Sequence, residues 1–142
     1  MIFVDTGFFF ALVSSRDPDH ERVLEVLASF GNRRLRDFLI TTNHVVFETI
    51  RLTRRRIGHG EAVSMGELLY SEKMARVHWA SREEEEAAFA YLKKYRDKEY
   101  SPLDCLSFVV MERLNIGEAL SLNSDFTHRF IARPGPLNPQ SE

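Results

Sequence analysis

Four places in this chain could bring acidic oxygens to one edge of a sheet: Asp5, Glu48, Asp104 and the neighbouring pair Asn123 and Asp125. Asp5 is the most informative. It directly follows the apolar run Ile2-Phe3-Val4, which reads as a buried strand. A carboxylate there is costly unless it is hydrogen-bonded, paired or bound to a cation. Each of the four stands near the start of a helix that follows a strand. Open α/β sheets bind their ligands outside the carboxyl ends of the strands. Oxygen-only donors suit Mg²⁺ or Mn²⁺, which bind through a few carboxylates plus waters. Such an ion lowers the pKa of a bound water.

Each residue also has a structural reading. Ser101-Pro102-Leu103-Asp104 is a good helix start, with Ser101 at the N-cap, Pro102 in the first turn and Asp104 three residues in. Glu48 lies three residues before Arg51, the spacing of an exposed helical ion pair. Asp125, in Asn123-Ser124-Asp125-Phe126, fits ordinary turn chemistry. Asp5 has the weakest alternative, and the shared topology of all four makes the set stronger than its members.

The elements that must position these groups alternate along the chain. Strands are expected at residues 2–4, 38–41, 75–79, 119–122 and 130–132. Helices are expected from Phe8 to Val13, from Pro18 with Asp17 as its cap to about Phe30, and from an Asn43 cap to Ile57. Further helices are expected over 60–73, from Ser81 to Tyr95 and from Pro102 to Leu114. Alternating strands and helices predict an α/β fold with a parallel sheet between helical layers. Pro134, Pro136 and Pro139 mark residues 134–142 as a disordered tail, leaving 1–133 as one domain.

Composition narrows the classes. The net charge of −2 excludes a molecule that binds nucleic acid by its overall field, so any such site is a local patch. The single cysteine, Cys105, excludes an intrachain disulfide and a cysteine-based zinc site. No basic region precedes the first apolar run, and no apolar stretch is long enough to span a bilayer, so the chain reads as cytoplasmic. There is no phosphate-binding lysine loop, no G-x-G-x-x-G and no serine elbow.

Four motifs in order carry a resemblance: Val4-Asp5-Thr6, Thr42 to Glu48, Asp97 to Phe108, and Ala119 to Phe126. Together they resemble the PIN-domain ribonucleases, and most of all the VapC-type toxins of toxin–antitoxin pairs. The resemblance spans Ile2 to about Ile131. It implies a PIN-like three-layer α/β/α sandwich around a central parallel sheet. It also implies a Mg²⁺- or Mn²⁺-dependent endoribonuclease, usually homodimeric and inhibited by a small VapB-like antitoxin. The family's first three acidic positions fall on Asp5, Glu48 and Asp104. The fourth, often Asp in the family, falls on Asn123, with Asp125 two residues beyond as a partial substitute. By that resemblance Asp5 and Asp104 hold the metal, Glu48 holds a metal-bound water or acts as base, Asn123 orients water or substrate, and Thr6 supports the site. Three carboxylates brought together without a cation should raise at least one pKa.

Arg51, Arg54, Arg55 and Arg56 crowd the helix that carries Glu48 and are the candidate RNA contacts. A solvated helix end stabilised by the dipole is the competing reading. Arg33, Arg34 and Arg36 form a second cluster in a loop, and His20 is a surface residue or a substrate contact. The helical stretches from Phe8 to Phe30 and from Arg54 to Tyr70 have apolar surface to spare for a second copy or an antitoxin. Two other functions compete. One is a PIN-like protein that binds RNA or a partner without cutting. The other is a phosphatase or phosphotransferase with Asp5 as nucleophile, which would want a second aspartate where Gly7 stands.

Overall fold

The computed structural model describes residues 1–137. Five strands, β1 (Ile2–Val4), β2 (Leu39–Thr42), β3 (Arg76–His78), β4 (Glu118–Ser121) and β5 (Ile131–Pro134), form one parallel sheet in the order β3-β2-β1-β4-β5. Six helices connect them: α1 (Thr6–Val13), α2 (His20–Ala28), α3 (Asn43–Arg56), α4 (His59–Tyr70), α5 (Arg82–Lys94) and α6 (Pro102–Arg113). From β1 the chain winds outward through β2 to β3, then returns to the other side of β1 at β4. Parallel crossovers are right-handed, so the two directions of winding put their helices on opposite faces. The packing agrees: α1 contacts α2 and α3, α3 contacts α4, and α5 pairs with α6. This is the expected α/β/α sandwich.

β1 is buried because it lies at the centre; Phe3 and Val4 are wholly enclosed, with Phe3 in register with both Ile40 and Ala119. On the α6 side the core is aromatic. Phe108 packs edge-on to Phe126 at 4.9 Å, and Phe126 stacks with Phe3 at 6.4 Å. Phe126 thereby nails the 3-10 turn Ser124–His128 to the core. Cys105 is buried in α6, as a small core residue should be.

Several element boundaries differ from the sequence expectation. α3 is capped by Thr42, whose hydroxyl accepts from Val45 N at 3.1 Å, and Asn43 instead accepts from Ala80 N at 2.8 Å. Thr42 wins because it alone has the extended backbone of a cap residue at that junction. α2 starts two residues after Pro18; Asp17 accepts from Asp19 N at 2.8 Å, a local turn that competes with the helix. Gly31, at φ +64°, closes that segment as anticipated. At the far end, Pro134 completes β5 opposite Ser121, and Gly135 N donates to Ser121 O at 3.0 Å. Arg22 also reaches the carbonyls of Pro134 and Gly135. The first residues of the expected tail are thus bound to the sheet edge, and 138–142 lie outside the described residues.

Candidate active site

The winding of the sheet reverses between β1 and β4, and at that point the carboxyl ends of two adjacent strands open a crevice. Asp5 leaves β1 there, its N–H donating to Leu120 O at 3.0 Å. It occupies the cap position of α1 but makes no capping bond with its side chain. The carboxylate instead accepts from Ser121 Oγ at 3.3 Å. Asp5 is 7% exposed. Burial is the main force on its carboxyl and pushes it up from 3.8 to about 6, with the charge of Asp104 adding to the rise. The Thr6 N–H and the Ser121 hydroxyl oppose that rise by stabilising the anion.

Asp104 makes the cap weighed from the sequence and also reaches toward β4. Its Oδ2 accepts from Ser101 N at 3.0 Å, and Ser101 Oγ accepts from Asp104 N at 3.0 Å, a reciprocal cap at the start of α6. Its other oxygen accepts from Asn123 Nδ2 at 3.3 Å, across to the β4 edge. Its carboxyl is also held above the ordinary range, first by partial burial and further by the charge of Asp125. Asn123 in turn accepts from Asp125 N at 2.9 Å through Oδ1 and donates its own N–H to Ser121 Oγ at 3.0 Å. Asp5, Asp104, Asn123 and Asp125 therefore form one connected group, with Ser121 as the junction.

Ser121 was not singled out from the sequence. The available signal was a hydroxyl at the end of an otherwise apolar buried strand, Ala119-Leu120-Ser121. Thr6 is buried, and its Oγ1 finds no hydrogen-bond partner in the protein. A buried hydroxyl without a protein partner, on the residue that follows Asp5, is a polar atom left open to water or a ligand.

Glu48 stands apart. Both of its oxygens are taken by Arg51, at 2.9 and 2.7 Å, and this pairing lowers its pKa. The helical ion pair anticipated as the alternative is thus present, and it engages one of the four candidate RNA contacts. Arg54, Arg55 and Arg56 are exposed in the last turn of α3. At about 1.5 Å per residue they lie roughly 9–12 Å further along the helix than Glu48, away from the crevice. Arg56 also sits over the Phe10 ring, 5.6 Å from its centroid. In the second basic loop, Arg33 covers Phe38 at 4.0 Å and Arg34 pairs with Asp37. His20 is tied to Ala11 O through Nδ1 at 2.7 Å.

Among the described residues no three His, Cys, Asp or Glu side chains are gathered into a ready metal cage. Mg²⁺ does not need one, since it keeps several waters and uses one or two carboxylates plus substrate phosphate. The carboxylates of Asp5 and Asp104 are oxygen donors of the kind that fits such an ion, and Asn123 Nδ2 holds one Asp104 oxygen in place.

The PIN domain family model matches residues 2–129. The 23S rRNA-specific endonuclease VapC20 of Mycobacterium tuberculosis is 35% identical over 127 residues, covering 89% of this chain and 92% of that protein. The crystal structure of the same organism's VapC20, a sarcin–ricin loop cleaving toxin, superposes with a TM-score of 0.81 at 33% identity, covering 90% of this chain and 94% of the other. FitAcB from Neisseria gonorrhoeae shares the fold, with a TM-score of 0.67 at 14% identity over 94% of this chain and 98% of the other.

Proposed function

The chain belongs to the PIN-domain family, and from that premise we propose that it is a metal-dependent endoribonuclease, the toxin of a type II toxin–antitoxin pair. The observation that carries the chemistry is the hydrogen-bonded chain Asp5–Ser121–Asn123–Asp104 at the point where the sheet reverses. Held there, Mg²⁺ or Mn²⁺ supplies charge neutralisation and a water of lowered pKa. Asp5 is the buried ligand, and Ser121 keeps its carboxylate turned into the crevice. Asp104 reaches the same crevice from α6, oriented by its cap and by Asn123. Asn123 holds the turn that carries Asp125 and keeps its carboxamide beside the ligand pair. Thr6 offers the free hydroxyl. Glu48 must release Arg51 before it can act as a base or hold a water; the freed guanidinium then becomes available to a phosphate.

Arg54, Arg55 and Arg56 supply a sequence-independent attraction for the RNA outside the catalytic crevice. A groove of about 610 Å³ among Phe9, Leu12, Leu27, Met65 and Leu68, between α1, α2 and α4, supports assembly as a homodimer and capture by a VapB-like antitoxin. Among the described residues no helix is long and apolar enough to cross a membrane.

The test is cleavage of a sarcin–ricin loop RNA, the substrate class of the similar VapC20. Activity is expected with Mg²⁺ or Mn²⁺, to vanish in EDTA, and to return on adding back excess ion. Asp104→Asn should nearly abolish it. Full cleavage by purified protein in excess chelator would refute the proposal.

A further inference from the structure

A second cleft, of about 630 Å³, opens beside the carboxylates between α3, α5 and the start of α6. It lies within the size range of small-ligand sites, about 300–1,000 Å³. Its walls include Glu48 and Ser101, and Ser101 is hydrogen-bonded to Asp104, which sets the cleft next to that carboxylate. Phe47 and Phe89 line it although they are 71% and 61% exposed. Large apolar rings left in solvent at the mouth of a site mark a binding surface. Leu92, Leu103 and Leu106 complete the apolar wall. The carboxylates at its edge are paired, Glu48 with Arg51 and Glu85 with His44 at 2.9 Å. Lys93 lies over the Phe89 ring, 5.1 Å from its centroid.

We propose that this cleft is a nucleobase subsite, taking one unpaired base next to the scissile phosphate. The proposal rests on the ribonuclease reading above. The two pairs at its edge, Glu48–Arg51 and Glu85–His44, present acceptors and donors alike to the edge of a base. Exposed aromatic rings stack unpaired bases, which is how proteins read RNA loops. Lys93, beside the stacking ring, is placed to meet the flanking phosphate. Phe47 and Phe89 are then positioning and specificity residues, not catalytic ones.

The experiment uses loop RNAs with 2-aminopurine moved one position at a time across the cleavage site, bound to the non-cleaving Asp5→Asn protein in Mg²⁺. Fluorescence should be quenched at one position adjoining the cut. In the same background Phe89→Ala should relieve the quench and weaken Kd about 5- to 150-fold, while Phe89→Tyr retains both. Both rings are exposed, so melting temperatures should stay unchanged. Cleavage by the wild-type protein in Mn²⁺ reports separately on the ribonuclease reading. If the wild type cleaves while Phe89→Ala and Phe47→Ala leave quench and Kd unaltered, the subsite is wrong and the nuclease stands. A basic amphipathic peptide filling the cleft while RNA binds with unchanged Kd would also overturn it.

Discussion

Replacing Asp5 by Asn should stabilise the metal-free protein at neutral pH. In the folded chain burial drives the Asp5 carboxyl from 3.8 up to about 6. A carboxyl with a raised folded pKa favours the fold when protonated. That contribution is complete below pH 3.8 and is lost as pH rises through about 6. A shift of roughly two units corresponds to about 3 kcal/mol at pH 7.5. Asn has the same shape and no charge, so Asp5→Asn should recover up to about 3 kcal/mol at pH 7.5 and almost nothing at pH 4. For a chain of 142 residues this is a rise in melting temperature of roughly 10 °C. Thermal and urea melts of both proteins in EDTA, from pH 4 to 8, measure the difference directly. Divalent ion should shrink the gap by stabilising the wild type alone, through mass action on the folded state. A gap that is flat with pH, or an Asn variant less stable than wild type at pH 7.5, would refute the claim that Asp5 sits ionised against its environment.

The cap and ligand roles of Asp104 separate by mutation. Ser101→Ala removes the hydroxyl that accepts from Asp104 N and should cost about 1 kcal/mol in urea unfolding while cleavage persists. Asp104→Asn should do the reverse, sparing most of the stability and removing cleavage. Asn123→Asp replaces the amide that donates to Asp104 with a second anion. Without metal it should lower stability by about 1–2 kcal/mol, and calorimetry should show tighter Mn²⁺ binding. An unchanged Mn²⁺ affinity would put this turn outside the site. Changing Arg54, Arg55 and Arg56 together to Ala should weaken RNA binding and reduce the log–log salt slope by roughly 2. A slope that does not move would leave the triplet as a solvated helix end.

The sequence alone was enough for the layer architecture, because short apolar or alternating runs take turns with longer helical stretches along the chain. The Ser81–Glu84 and Ser101–Asp104 capping boxes are local devices, and both form. Asp5 was legible for the same reason: a carboxylate ending a buried run has few innocuous explanations. At α2 the competitor was a local turn at Asp17, and at two other places it was tertiary. Asn43 is drawn from the cap of α3 to the Ala80 N–H, 37 residues away, and Pro134 is drawn into β5 by pairing with Ser121. Neither partner can be read from local spacing.

The order of acidic residues along the chain belongs to the sequence, and so does their arrival at the carboxyl ends of strands, since a parallel sheet places every such junction on one edge. Which of them meet was decided only by the fold. Strand order sets β1 beside β4, so Asp5 finds Ser121, 116 residues on, and Asn123 finds Asp104. The same packing removes water from Asp5 and raises its pKa, an effect of burial that no local pattern encodes. Glu48 stays partly exposed on α3, where Arg51, one helical turn away, binds both of its oxygens.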